Sequence, residues 1–267
     1  MKRNIFRTLL FLTSVGIIIF SVQKLYEIYA EYEKGKSAYV EIAEQYVTRL
    51  VTDDTLPSSI EKIVLPEPVE PLKTAPISVS FKDLLAECDD VVGWLYCAET
   101  LINYPVVQGR DNNYYLRRLP DGSYNINGTI FMDYRNSPDF SDWNTVIYGH
   151  NMNNDTMFGI LQRYNSQDYF DTHPVWYLLT PEQDYRIELL GGYTTSSTDA
   201  DTYSIPDNVQ GRDELIEKVM QYTTFQSEVE IGDEDLLITL STCADDYDAR
   251  YVLVGVLREL TRLTDWY

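Results

Sequence analysis

The chain has 267 residues, enough for one sizeable domain with accessory segments, and 44% hydrophobic with 13% aromatic content excludes a disordered polymer. With 21 basic against 42 acidic residues and a net charge of −21, it lacks the concentration of Lys and Arg that phosphate binding needs, which excludes nucleic acid as a partner. Cys88, Cys97 and Cys243 are its three cysteines; they cannot all pair within one chain, and Cys88 and Cys97 read as buried small hydrophobes rather than as a bridge.

In chain order, Lys2, Arg3 and Arg7 precede residues 8–23, sixteen uncharged residues that include "LLFLTSVGIIIFSV". At ~1.5 Å per residue this is short for a bilayer but spannable if Arg7 and Lys24 snorkel. No small-x-small cleavage site follows it, so a retained anchor is expected rather than a signal peptide. The basic flank before the span, with Glu27, Glu31 and Glu33 after it, puts the N-terminus inside and the rest of the chain outside the cell membrane, a single-pass topology. Leu25, Ile28, Tyr29, Tyr32, Tyr39, Ala43, Tyr46 and Leu50 then fall at helical spacing, predicting one or two helices over 26–50 interrupted near Gly35. Pro57, Pro66, Pro68, Pro71 and Pro76 mark an extended linker. The expected division is therefore residues 1–24 as cytoplasmic tip and anchor, 25–76 as helical stalk and linker, and 77–267 as the main folded domain.

After a helical "FKDLLAE" come eight strand-like runs: "VVGWLYC", "INYPVVQ", "GTIFMDY", "NTVIYG", "VWYLLT", "YRIELLGGYTT", "DLLITLS" and "YVLVGVL". They are rich in β-branched and aromatic residues and separated by turn formers. This is a mainly β pattern with α additions, and eight strands suggest a closed barrel or a sandwich. Helical pieces are expected at residues 157–164 and 208–226.

Few residues can carry chemistry. The only histidines are His150 and His173, and no Cys-x-x-Cys spacing occurs, so neither a metal site nor a cofactor is expected. No glycine loop suited to phosphate is present either. His173, ahead of Pro174 and a strand, reads as structural, and the acidic pair Asp199 and Asp201 as a solvated loop rather than a calcium site. What remains is a thiol closing one strand, Cys243, a histidine closing another, His150, and an arginine opening a third, Arg250. A thiolate attacks carbonyls, an imidazole trades protons with thiol and leaving amine, and a guanidinium supports developing oxyanion charge. Together these roles point to acyl transfer through a thioester.

"NTVIYGHNM" at residues 144–152, "TLSTC" at 239–243 and Arg250 at the head of a strand together resemble the signatures of the sortases, extracellular cysteine transpeptidases of Gram-positive bacteria. "DVVGWLYCAETLINYPVVQGRDNNYYL" at 90–116, "GTIFMDYRN" at 128–136 and "TMFGIL" at 156–161 carry the likeness toward class B, in collinear order from Phe81 to Leu257. The resemblance implies an eight-stranded sortase-type β-barrel with N-terminal helices and a long helix before the cysteine strand. It further implies Cys243 as nucleophile, His150 as acid and base, and Arg250 as oxyanion and substrate clamp. Asn112, Leu116, Thr195, Tyr203 and Ser241 would line the substrate groove. The segment "ADDYDA" between Cys243 and Arg250 is shorter than in other class B members, the one departure from the pattern.

The partners so implied are secreted proteins with a C-terminal sorting signal, cleaved after Thr, and an amine of a peptidoglycan precursor. A sortase of another class that polymerises pili and a cysteine amidase cutting wall peptides are the neighbouring readings, and a noncatalytic wall-binding module is a more distant one.

Overall fold

The structure, a computed structural model, describes the backbone of residues 2–50, 74–243 and 248–262, and the side chains of 6–50, 74–242 and 248–262. The linker prolines Pro57, Pro66, Pro68 and Pro71 and most of "ADDYDA" lie outside the described residues.

One helix, α1 (Lys2–Tyr46), runs for 45 residues without a break, a length of roughly 68 Å. Residues 6–46 contain a window of mean hydropathy 1.8 with no part of it buried, the one described helix long and apolar enough to cross a membrane. Within it the Thr13 and Ser14 hydroxyls donate back to the Leu10 carbonyl, at 2.8 and 2.9 Å, so neither is left bare on an apolar surface.

The expected interruption at Gly35 does not occur. A Cβ there would stand 2.3 Å from Asn127 Nδ2 and 2.5 Å from Asn125 Oδ1. The glycine therefore serves a close approach of helix to domain rather than a break. Nor does the helix reach Leu50: β-branched Val47 and Thr48 enter a short strand, β1 (Val47–Arg49), antiparallel to β2 (Ile77–Val79). Bonds from Leu50 N to the Pro76 carbonyl and from Ser80 N to the Tyr46 carbonyl, both 2.9 Å, flank that pair and take the backbone partners a further helical turn would have used.

Then follow α2 (Phe81–Glu87), β3 (Val91–Tyr96), β4 (Asn103–Gln108), β5 (Ile130–Met132), β6 (Asn144–His150), α3 (Gln167–Thr172), β7 (Val175–Leu179), β8 (Asp184–Ser196), α4 (Val209–Tyr222), β9 (Leu237–Cys243) and β10 (Ala249–Leu260). All eight expected strands form. They close a barrel in the order β10-β8-β7-β3-β4-β5-β6-β9, with β4–β5 and β6–β9 parallel and the other pairs antiparallel. The helical piece expected at 157–164 is a 3₁₀ segment, Gly159–Asn165, and the long helix expected over 208–226 is α4, capped by Asn208, whose side chain accepts from Gly211 N at 3.0 Å. Besides the β1–β2 pair, two elements escape the sequence pattern: the six-residue α3 and a 3₁₀ turn at Tyr114–Arg117.

Strand alternation sorts the core. Leu95, Val106, Ile147, Trp176, Leu178, Ile187, Leu189, Ile238, Leu240 and Leu253 fill the barrel. On one outer face Tyr46, Phe81 and Leu84 bury Trp94, Val107 and Leu179. On the opposite one α4, through Leu215 and Val219, covers Val146, Leu190, Leu237, Val252 and Val254. That second face, followed to the ends of β6 and β9, leads to the functional residues.

Candidate active site

In β6, Ile147 points into the barrel while Val146 packs under α4, so the outward set of this strand is Val146, Tyr148 and His150. Parallel pairing with β9 sets Val146 opposite Thr239, Tyr148 opposite Ser241 and His150 opposite Cys243. On the far side of β9 the antiparallel register runs from Val256↔Leu237 to Val252↔Ser241, and its continuation brings Arg250 level with Cys243. The next strand, β8, pairs Thr195 with Arg250. Four neighbouring strands thus carry His150, Cys243, Arg250 and Thr195 abreast, at the end of the barrel where β6 and β9 stop.

His150 is buried, 6% exposed, and its Nε2 lies 2.6 Å from the carbonyl oxygen of Leu116. A carbonyl only accepts, so Nε2 carries the proton and Nδ1 is the ring nitrogen that gains and loses one. Leu116, half-buried in the Tyr114–Arg117 turn, meets the histidine through its backbone. Arg250, also half-buried, donates Nη1 to the Thr242 carbonyl at 3.2 Å, directly beside Cys243.

Behind this row is a second layer. Ser241 has no exposed surface; its hydroxyl meets Tyr203 Oη at 3.1 Å, and Tyr203 is itself buried. Asp133, also fully buried, receives Arg135 Nε and Nη2 at 2.9 Å each, Asn112 Nδ2 at 3.0 Å and Tyr148 Oη at 3.0 Å. Burial pushes the Asp133 carboxyl up, but the Arg135 ion pair and the other donors outweigh it and leave it below the usual range. Arg135 continues to the Tyr203 carbonyl at 3.1 Å, so one charged network joins the Asn112 loop, the end of β5 and the loop before α4.

Thr195 donates to Asp199, which also takes Lys218 Nζ on both oxygens, at 2.5 and 2.7 Å, and Thr202 Oγ1 at 3.1 Å. Asp199 thus belongs to a loop clamp, and no cluster suited to a metal ion occurs among the described residues. His173 caps α3: its Nδ1 is 3.1 Å from the Tyr169 carbonyl and its ring stacks on Tyr169 at 4.3 Å. Cys88 and Cys97 are buried and unbridged. Asp133, Tyr148 and Arg135 were not legible as site residues, because an aspartate after a strand or an arginine in a turn has no distinguishing spacing. The Leu116 contact could not be, since a backbone carbonyl carries no residue signature.

Residues 95–258 match the sortase domain. The chain belongs to the sortase family. Sortase B of Listeria monocytogenes is 37% identical over 183 residues, 66% of this chain and 73% of that one. The sortase B structure from Bacillus anthracis superposes with a TM-score of 0.69 at 27% identity, over 87% of this chain and all of that one. Staphylococcus aureus sortase B, solved as a substrate complex, and a sortase B complexed with triglycine each give a TM-score of 0.65 at 29% identity over 68% of this chain, and 85% and 86% of theirs. This sortase is of class B, and a cysteine transpeptidase.

Proposed function

We propose that this sortase is anchored by α1 with its N-terminus inside and its barrel outside the cell membrane, and that it transfers secreted proteins to the cell wall through Cys243, His150 and Arg250. The observation that carries the reading is the register that sets these three residues abreast on β6, β9 and β10. Residues 1–24 act as tip and anchor, 25–76 as helix and linker, and 77–267 as the catalytic domain.

In the first half-reaction the Cys243 thiolate attacks the carbonyl carbon of the threonine in a C-terminal sorting signal. The electron pair moves to the oxygen, where Arg250 supports the charge. Collapse of the tetrahedral intermediate breaks the C–N bond, and the departing nitrogen takes a proton from His150, leaving a thioester. In the second, an amine of a peptidoglycan precursor attacks the thioester, His150 takes its proton at Nδ1, and the thiolate leaves as the new amide forms. An amine of the kind that triglycine presents to its sortase B suits this step. The groove for the signal is formed around Asn112, Leu116 and Thr195, while the buried pair Tyr203 and Ser241 supports it from beneath. Anchoring keeps the enzyme where a secreted substrate and a lipid-linked amine are both presented.

The test is incubation of the full-length protein in detergent with a library of threonine-containing pentapeptides and triglycine. Cleavage after threonine with a ligated product, lost in Cys243→Ala, is the expected result. Turnover surviving in Cys243→Ala would overturn the nucleophile, and cleavage without ligation would favour a wall-peptide amidase.

A further inference from the structure

We infer that Tyr39 of α1 is a positioning residue for His150, acting through the turn at residues 125–129, so that the docked anchor helix tunes the proton-transfer group of the site. The inference deepens the reading of His150 given above and rests on it.

The chain of contacts is short and entirely within the described residues. Tyr39 is buried at 3% exposure, its ring set edge-on against Tyr104 with centroids 5.2 Å apart. Its hydroxyl donates to the Gly128 carbonyl and lies 3.0 Å from Thr129 Oγ1. Gly128 has φ +58°, and a Cβ on it would stand 2.4 Å from the Leu116 oxygen and 2.7 Å from the Tyr115 oxygen. Only glycine can occupy that conformation and still press against those carbonyls.

The same turn holds the Tyr114–Arg117 segment on both sides of Leu116. Thr129 N donates to the Tyr115 carbonyl at 2.9 Å, Asn125 N to Arg117 at 3.0 Å, and Thr129 Oγ1 to Arg118 at 2.7 Å. Leu116 is the member of that run whose carbonyl accepts from His150 Nε2, at 2.6 Å. Two further contacts fix the turn to the helix: Asn125 Nδ2 donates to the Glu31 carbonyl and Asn127 Nδ2 to that of Tyr32, each at 3.2 Å. Displacing the helix moves the turn, the turn moves the Leu116 carbonyl, and the histidine loses the acceptor that fixes its tautomer and ring plane.

Tyr39→Phe in the full-length protein tests this, because it removes one hydroxyl and keeps the ring on Tyr104. The transfer rate should fall about fivefold in kcat, the scale of one lost hydrogen bond, with KM within about twofold of wild type. The chain has only two histidines, so ¹⁵N-histidine labelling reads the effect directly. The His150 imidazole resonances should shift and its Nε2 proton exchange faster, with those of His173 unmoved. Tyr46→Phe, at another α1 contact where the hydroxyl meets Gln45 Nε2 at 2.9 Å, should change neither rate nor spectrum.

An unaltered kcat, an unmoved His150 signal, movement of both histidines together, or an equal effect of Tyr46→Phe would each overturn the inference. Full activity in His150→Gln would instead overturn the assignment of His150 itself, so the two failures are told apart.

Discussion

Arg250 reaches back from the start of β10 to donate Nη1 to the carbonyl of Thr242 at 3.2 Å, the residue immediately before Cys243. A guanidinium can spend one N–H on that backbone oxygen and still offer others in the same plane, whereas an ammonium is a single point charge on a flexible stem. In Arg250→Lys the charge remains and the paired geometry does not. The expected loss is about 10²-fold in turnover, the range for removing one oxyanion donor, with melting temperature and circular dichroism nearly unchanged. Near-normal turnover would mean that Arg250 serves only the strand end and that another group supports the oxyanion.

Gly35 gives a prediction opposite to helix propensity. In an exposed helix Gly→Ala stabilises by ~1 kcal/mol. Here the added methyl would meet Asn127 Nδ2 and Asn125 Oδ1 at 2.3 and 2.5 Å. Those amides are not free to swing away: both donate to α1 carbonyls, and Asn125 Oδ1 accepts from Asn127 N at 2.9 Å. Gly35→Ala should therefore destabilise the protein, by ~1–3 kcal/mol as for other overpacked sites, measured by thermal or denaturant unfolding. A stabilised variant would show that helix and turn separate easily.

The three cysteines should differ sharply toward a thiol reagent. Burial pushes the Cys97 thiol up to about 12, and burial also raises Cys88, whose Sγ is 3.1 Å from the Pro120 carbonyl. Neither forms thiolate near neutral pH, and neither is accessible. At pH 8 the folded protein should label quickly at one position, Cys243, as read by peptide mass mapping, and Cys243→Ala should show no fast phase. Fast modification at Cys88 or Cys97 would contradict their buried placement and remove the contrast on which the nucleophile assignment leans.

The eight barrel strands were legible because each combines β-branched or aromatic residues with bounding turn formers, and "TLSTC" and "NTVIYGHNM" mark the ends of the two strands that pair in parallel. What the sequence misdirected was local and had tertiary causes. Gly35 reads as a break by propensity, yet the Asn125–Asn127 turn requires a residue without Cβ there. Val47–Arg49 continue a helical period but find β2 as a partner from thirty residues on. The six-residue α3 is too short for any period to show. Around the site, His150 could be singled out as one of two histidines and Arg250 by its place at the head of a strand and the family resemblance, while the Asp133 network and the Leu116 carbonyl depend on which loops meet, which no spacing encodes.

Asp199 offers a test by pH. Burial pushes its carboxyl up, but Lys218, Thr195 and Thr202 more than offset this and bring it down to about 2, from an ordinary value of 3.8. Because the folded value is the lower one, the unfolded chain binds more protons between those two values, and stability rises with pH across that window. The contribution is therefore fully present above about pH 4 and is lost as the solution is acidified toward the folded value near 2. In Asp199→Asn the carboxylate and its ion pair with Lys218 are gone at every pH. The variant should melt below the wild type at pH 7, and the gap should narrow progressively between about pH 4 and pH 2. Thermal melts at half-unit pH steps measure it. A gap that stays constant down to pH 2 would assign the loss to packing of the loop between β8 and α4 instead of to the charge of Asp199.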